Sequence, residues 1–273
     1  MAEIQTAYGR EVAAALGEHP WAQHLTVLDT VDSTNTRLKQ LAAAGAPEGT
    51  AVLADCQLQG RGRRGRDFTS PKGAGIYLSV LLRPEAPPRQ LMCLTALTAV
   101  AAGRAVAECA GVQPGIKWVN DLVLGSRKIC GILTELSVSG TRGLTDYAVV
   151  GVGINCSQRR EDFPPPLRQM AGSIASETGR PVCRSALAAA LVRQLAELRR
   201  VLLTGERARW LEEYRQNCVT LGKAVQLVRG DEIRAATALD IDENAALLVR
   251  RDDGSLETVN AGEVSVRGYY GYL

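Results

Sequence analysis

The chain has 273 residues, of which 46% are apolar and 22% charged, and its net charge is +3. That length can bury a real core and suits two domains, one large and one small. The composition excludes a disordered chain, and the small net charge argues against a dedicated nucleic-acid binder, whose domain is ordinarily more basic.

In chain order, Met1 to Trp21 predicts a short helical lead-in with Val12, Ala15 and Leu16 on one side. It is too short for a helix-turn-helix unit, and with Glu3, Arg10 and Glu11 it lacks the apolar segment of a signal peptide. Thr26 to Val31 predicts a strand. Asp32-Ser33-Thr34-Asn35-Thr36 then opens a helix carrying Leu38, Leu41 and Ala42. Those small polar residues suit a plain N-cap, and equally a helix start whose N–H groups and hydroxyls hold a polar ligand head.

A strand running to Cys56 leads through Gln57 into Gly60 to Arg66, where four arginines and three glycines share seven residues. No packed core holds guanidinium groups at that density. Glycine lets the backbone bend around a ligand, and arginine supplies forked donors for phosphate or carboxylate. A solvated Arg-Gly segment that touches RNA has the same composition. The flanking strands, Thr50 to Ala54 and Ile76 to Leu82, argue instead for a ligand-facing loop inside a sheet.

A long helix follows, marked by Leu91, Leu94, Thr98, Ala101, Ala105 and Cys109 and stopping at Gly111. Ile116 to Leu124 and Lys128 to Glu135 predict two strands joined at Gly125-Ser126. Lys117, Asn120, Asp121 and Lys128 stand out as polar groups in this apolar pair, although edge lysines also serve simply to discourage aggregation. Tyr147 to Ile154 predicts a strand whose Gly151 and Gly153 imply a close neighbour. After an irregular connection with Pro164, Pro165 and Pro166, Arg184 to Leu203 predicts a long helix, and Trp210, Leu211 and Tyr214 mark a shorter one. From Leu221 the texture changes to five short strands: Ala224–Val228, Ile233–Leu239, Ala246–Arg250, Leu256–Asn260 and Glu263–Arg267. That density suggests a small barrel. The seven cysteines are scattered, with no Cys-x-x-Cys spacing, as expected of free thiols in a reducing compartment. No run approaches about 18 apolar residues, so no membrane span and a cytoplasmic location are expected.

Several motifs in fixed order carry a resemblance. They are Ser33-Thr34-Asn35; Gln57 with Gly60-Arg61-Gly62-Arg63-Arg64-Gly65-Arg66; Ser70-Pro71 with Gly75 to Ser79; Lys117-Trp118-x-Asn120-Asp121; Lys128-x-x-Gly131-Ile132-Leu133-x-Glu135; and Gly151-x-Gly153-x-Asn155. Together they resemble the biotin protein ligase family, in a form without an N-terminal DNA-binding extension. The resemblance implies an α/β (α+β) fold: a mixed-sheet catalytic domain of the class II synthetase type over residues 1–220, and a small SH3-like β-barrel over 221–273. It implies activation of biotin by Mg²⁺·ATP to biotinyl-5′-AMP, then transfer to one lysine of the biotin carboxyl carrier domain of a carboxylase. It implies no DNA partner, no membrane, and a monomer or homodimer.

For the residues, the resemblance implies that Ser33, Thr34, Asn35 and Gln57 hold the biotin head, and that Gly60, Arg61, Gly62 and Arg63 contact biotin and its adenylate and close over them. Gly131, Gly151 and Gly153 leave room for the bicyclic ring, with Asn155 nearby. Arg64, Arg66, Phe68, Lys117, Trp118 and Asn120 fall on the nucleotide side. Arg63, Lys128 and Asp121 are the expected catalytic groups, Lys128 on the carboxylate and phosphate and Asp121 as proton acceptor or metal orienter. No protein metal-ligand set is expected. Val119 stands where the family has proline, and Phe68 where tryptophan is common. Lipoate ligation is the nearest alternative, and the full arginine loop favours biotin. A nucleic-acid module would need stacking aromatics, yet only Phe68 lies close and aromatics are 4% of the chain.

Overall fold

Strand β3 (Gly75–Leu82) is buried along its whole length and forms the spine of a seven-stranded sheet. The computed structural model describes residues 6–260 and the backbone of residues 265–268. Helix α1 (Ala7–Leu16) starts at Thr6, whose hydroxyl accepts the Gly9 N–H, and Pro20–His24 adds a 3-10 turn. The expected lead-in helix is thus two short pieces, and Met1 to Gln5 lie outside the described residues. Strand β1 (Leu25–Val31), helix α2 (Thr34–Ala43) and strand β2 (Ala51–Gln57) then make a β–α–β unit with the two strands parallel.

Helix α3 (Leu94–Ala110) follows β3 and ends at Gly111, whose φ of +65° suits glycine. The chain continues through β4 (Gly115–Lys117), β5 (Asp121–Leu124), β6 (Arg127–Val138) and β7 (Thr145–Asn155). Strand order is β1-β2-β3-β7-β6-β5-β4, and every pair except β1–β2 is antiparallel. Helices α4 (Ile174–Thr178), α5 (Arg184–Thr204) and α6 (Arg207–Asn217) complete this part.

One face of the sheet packs on α1, α3 and α5. Leu78, Val80 and Leu82 of β3 point there with Val150, Val152 and Ile154 of β7, all nearly or fully buried. Each such side chain contributes about 1.5–3 kcal/mol on burial. The other face is covered at one end by α2, where Leu38 and Ala42 meet Val52, Leu81 and Val149. The remainder of that face is left for a cavity. Residues Pro88–Ala110 are long and apolar enough to cross a membrane by length and composition alone, but the segment is mostly buried, as befits a core helix; α3 packs on α5 and α6.

The predicted single strand from Ile116 to Leu124 is instead a tight hairpin of β4 and β5, with Lys117 opposite Asp121 and a cis peptide between Trp118 and Val119. The fold-back is held by Asn120, whose carbonyl accepts the Ile132 N–H and whose amide donates to the Ile132 carbonyl. Neither Gly nor Pro marks the turn, so the local pattern gives no sign of it.

The C-terminal strands are β8 (Ala224–Arg229), β9 (Glu232–Ile241), β10 (Leu247–Arg251), β11 (Leu256–Val259) and β12 (Ser265–Gly268). They form an antiparallel sheet in the order β11-β10-β9-β8-β12. Glu263 and Val264 of the fifth predicted strand lie outside the described residues. This small sheet touches the large one through Trp118. Its indole N–H donates to the Ala245 carbonyl (3.0 Å), and its backbone N–H donates to the Thr220 hydroxyl (2.9 Å).

Candidate active site

The site begins with strand periodicity. Alternate residues share a face, so Tyr77 and Ser79 of β3, Gly151 and Gly153 of β7, and Gly131 and Leu133 of β6 form two rows across the sheet. The register confirms both rows: Tyr77 opposes Gly153, which opposes Gly131, and Ser79 opposes Gly151, which opposes Leu133. Above them lies a cavity of about 610 Å³, an ordinary size for a small-molecule site.

The glycines are needed for close approach. A Cβ on Gly151 would stand 2.1 Å from Asn35 Oδ1. One on Gly153 would stand 2.5 Å from the Phe68 ring, and one on Gly131 would meet both Lys128 and Phe68 within 3.2 Å. The space above Gly131 and Gly153, expected to be left for a ligand ring, is thus shared with Phe68, which packs edge-on to Tyr77.

The polar end of the cavity is the start of α2. The Ser33 hydroxyl accepts the Thr36 N–H, as an N-cap does. Gln57 Oε1 accepts from both the Thr34 N–H (2.9 Å) and the Thr34 hydroxyl (3.0 Å), and Gln57 Nε2 donates to Ser70 Oγ (2.8 Å). The buried Ser79 hydroxyl lies 2.6 Å from Asn35 Oδ1 and 2.8 Å from Thr34 Oγ1. Asn35 Nδ2 donates to Glu135 and to the Leu133 carbonyl. Cap and ligand-facing network therefore coexist on the same residues.

The arginine loop is a small hairpin. Arg61 pairs with Asp67, the Phe68 N–H donates to the Gly60 carbonyl, and Arg63–Gly65 form a 3-10 turn. Only Gly65 (φ +71°) among its glycines is left-handed, and Arg64 (φ +58°) adopts the same conformation. Gly60 is constrained by contact instead: a Cβ there would stand 2.2 Å from the Phe68 carbonyl. Gly60 lines an adjoining cavity rather than the main one, while Arg61, Gly62, Arg63, Arg64, Arg66 and Phe68 line the main one.

Beside the glycine rows, where Asp121 pairs with Gly131, runs a chain of charged and amide groups. Arg63 NH1 donates to Asn120 Oδ1 (2.9 Å), Asn120 Nδ2 donates to Asp121 Oδ1 (3.1 Å), and Lys128 Nζ stands 2.6 Å from the same Asp121 oxygen. Burial lowers the Arg63 pKa, and the Asp121 carboxylate opposes that shift. Lys117 and Trp118 line the cavity beside Asn120. Burial raises the Cys130 thiol beside Lys128 and Asp121, and raises the Cys156 thiol to about 12.

The structure thus gathers every sequence-predicted residue around the cavity except Gly60. Asn155 is present but committed, since its Nδ2 donates to the Gly172 carbonyl and its Oδ1 accepts from Gln158. Several contributors were given no role by the sequence reading. Ser70 and Ser79, quoted there only as part of a motif, are held in the polar network, and Tyr77 donates to the Pro71 carbonyl. Phe163, Leu167 and Met170 supply an apolar wall from the proline-rich connection, and Gln226 reaches in from β8; no pattern announced them.

The family model for the Biotin/lipoate A/B protein ligase family matches residues 27–155, and that for the Biotin protein ligase C terminal domain matches residues 220–267. The chain is 31% identical to the biotin–[acetyl-CoA-carboxylase] ligase of Paracoccus denitrificans, over 89% of this chain and 100% of that protein. The chain belongs to the biotin protein ligase family. It is also 33% identical to the bifunctional ligase/repressor BirA of Bacillus subtilis, over 89% of this chain and 74% of that protein. Among solved structures, the biotin protein ligase from Aquifex aeolicus in complex with biotin and ATP superposes with a TM-score of 0.76 at 28% identity, covering 90% of this chain and 99% of that one. The fold expectation, a mixed α/β sheet followed by a small C-terminal β unit, agrees with this family.

Proposed function

We infer that this chain is an ATP-dependent biotin protein ligase. The observation that carries the reading is the cavity itself: a glycine-floored, hydrogen-bonding pocket at the α2 start, walled on the other side by Arg63, Asn120, Asp121 and Lys128. A pocket of that kind suits a bicyclic acid and the α-phosphate it attacks. The biotin carboxylate displaces pyrophosphate from ATP to give biotinyl-5′-AMP. A lysine ε-amine of a carrier domain then attacks the acyl carbon and releases AMP.

In this reading Ser33, Thr34, Asn35 and Gln57 present donors and acceptors to the biotin head. Arg61 and Arg63, in a hairpin held by Gly60 and Gly62, meet the carboxylate and the adenylate. Lys128 stabilises the charge that develops on the transferring acyl phosphate in both steps. Asp121 holds the ammonium in place beforehand, and once Lys128 turns to the phosphate its carboxylate can take a proton from the incoming amine. Arg64, Arg66, Lys117, Trp118 and Asn120 border the nucleotide, and Phe68 stacks against the ligand face and excludes water from a hydrolysable mixed anhydride. Mg²⁺ enters as part of the MgATP substrate, neutralising its phosphates.

The carrier is a biotin carboxyl carrier domain of a carboxylase, in keeping with the Paracoccus relative's name. The C-terminal match to a biotin protein ligase domain favours biotin over lipoate. We place the domain boundary between residues 220 and 221. A cytoplasmic location fits the seven unpaired thiols, and neither DNA nor a membrane has a part; a monomer and a homodimer both fit the reading.

The test is ATP-dependent incorporation of labelled biotin into an apo carrier domain. Label on the carrier's target lysine, absent without ATP, is expected. Label absent from the carrier, with a known ligase labelling it in parallel, contradicts the reading.

A further inference from the structure

We propose that Glu135 is a positioning residue that ties the two ligand-holding segments of the cavity together. This inference rests on the proposed ligase function. Glu135 lies on β6, two positions beyond Leu133 on the glycine-lined face. Its Oε2 accepts from Asn35 Nδ2 (2.9 Å), at the start of α2. Its Oε1 accepts from Lys39 Nζ (2.8 Å), one turn further along α2, and from Arg61 NH1 (3.3 Å) of the arginine hairpin. Glu135 therefore touches both segments at once.

The contact with Asn35 fixes which way its amide points. With Nδ2 held by Glu135 and the Leu133 carbonyl, Oδ1 faces the Ser79 hydroxyl and fills the space that Gly151 leaves. A neutral side chain at 135 weakens that choice, and the amide can turn. The contact with Arg61 has a different consequence. Half-exposed ion pairs stabilise a fold little, so the pair matters through where it holds the guanidinium, at the cavity wall rather than in bulk water.

Lys39 completes the device. A ligand carboxylate or phosphate must draw Arg61 from Glu135, and a half-buried carboxylate left without a cation is costly. Lys39 remains paired with Glu135 throughout, so Arg61 can move to the ligand without leaving a bare charge behind. Burial raises the Glu135 pKa, but the Lys39 and Asn35 hydrogen bonds and the Arg61 charge outweigh it and hold the group below its ordinary value.

The experiment measures biotin and ATP KM by pyrophosphate exchange for wild type, Glu135→Gln, Lys39→Ala, Arg61→Ala and the double variant Glu135→Gln/Arg61→Ala, with thermal melting alongside. Glu135→Gln is expected to raise biotin KM about tenfold while ATP KM stays within about twofold, and the double variant to lose less than the product of the single losses. Lys39→Ala, which remains informative if Glu135→Gln does not fold, is expected to raise biotin KM in the same direction. An unchanged biotin KM in both variants, equal rises in both KM values, or full multiplicativity with Arg61→Ala overturns the proposal. Wild-type protein without biotin-dependent exchange overturns the ligase reading itself, and this inference with it.

Discussion

Lys128 Nζ stands 2.6 Å from Asp121 Oδ1 across the β5–β6 hairpin, with both side chains largely shielded from solvent. The same oxygen takes the Asn120 amide, which in turn anchors Arg63. A cation set in advance where negative charge develops needs no reorganisation during the reaction.

Lys128→Ala removes that charge, and Asp121 keeps the Asn120 amide as a hydrogen-bond partner, so the fold is expected to hold with at most a modest loss of stability. The expected loss in the rate of adenylate formation is about 100-fold or more, with a melting temperature within a few degrees of wild type. Single-turnover formation of biotinyl-5′-AMP, read by mass spectrometry, checks it.

Asn120→Ala cuts the string between Arg63 and Asp121 and also removes the amide bond to the Ile132 carbonyl. We expect kcat/KM for ATP to fall about tenfold or more, with a smaller change in biotin affinity, since Gln57 and the α2 start are untouched. Steady-state exchange kinetics with each substrate varied in turn separate the two effects.

Gly153→Ala drives a methyl group to within 2.5 Å of the Phe68 ring. Overpacking of this kind costs about 1–3 kcal/mol. Because the obstacle is one side chain, Gly153→Ala combined with Phe68→Ala is expected to recover most of the lost stability. A thermal double-mutant cycle measures the coupling.

Glu135 has its pKa held below the ordinary carboxylate value by Lys39, Asn35 and Arg61, against the effect of burial. A carboxylate lowered in the folded state contributes stability above its unfolded pKa, about 4.3, and loses it as pH falls through the folded value. The melting-temperature gap between wild type and Glu135→Gln is therefore expected to be constant from about pH 6 to 8 and to close below about pH 4. Melting curves over that range test the sign.

The fold was legible where periodicity and turn chemistry agree. The α2 cap, the α3 stop at Gly111, and the C-terminal strands came from local pattern, with boundaries within a few residues. The hairpin at Trp118 to Asn120 was not legible, because it is closed by Asn120 reaching to Ile132, twelve residues away. The polar and glycine residues around the cavity were legible as a set through the family resemblance and the glycine alternation, whereas the apolar wall of Phe163, Leu167 and Met170 was not. Their division of labour was not. That Asn155 tethers the Gly172 segment and that Glu135 joins two segments are long-range contacts no local signal encodes, and the contact of Gly60 with Phe68 depends on how the hairpin closes.

The most direct test of the central claim is ATP–pyrophosphate exchange by the purified protein, run in parallel with biotin, with lipoate and with neither acid. Exchange that depends on biotin, and does not appear with lipoate or without an acid, is the predicted result. Exchange with lipoate alone, or no exchange from protein shown to be folded, would contradict the account.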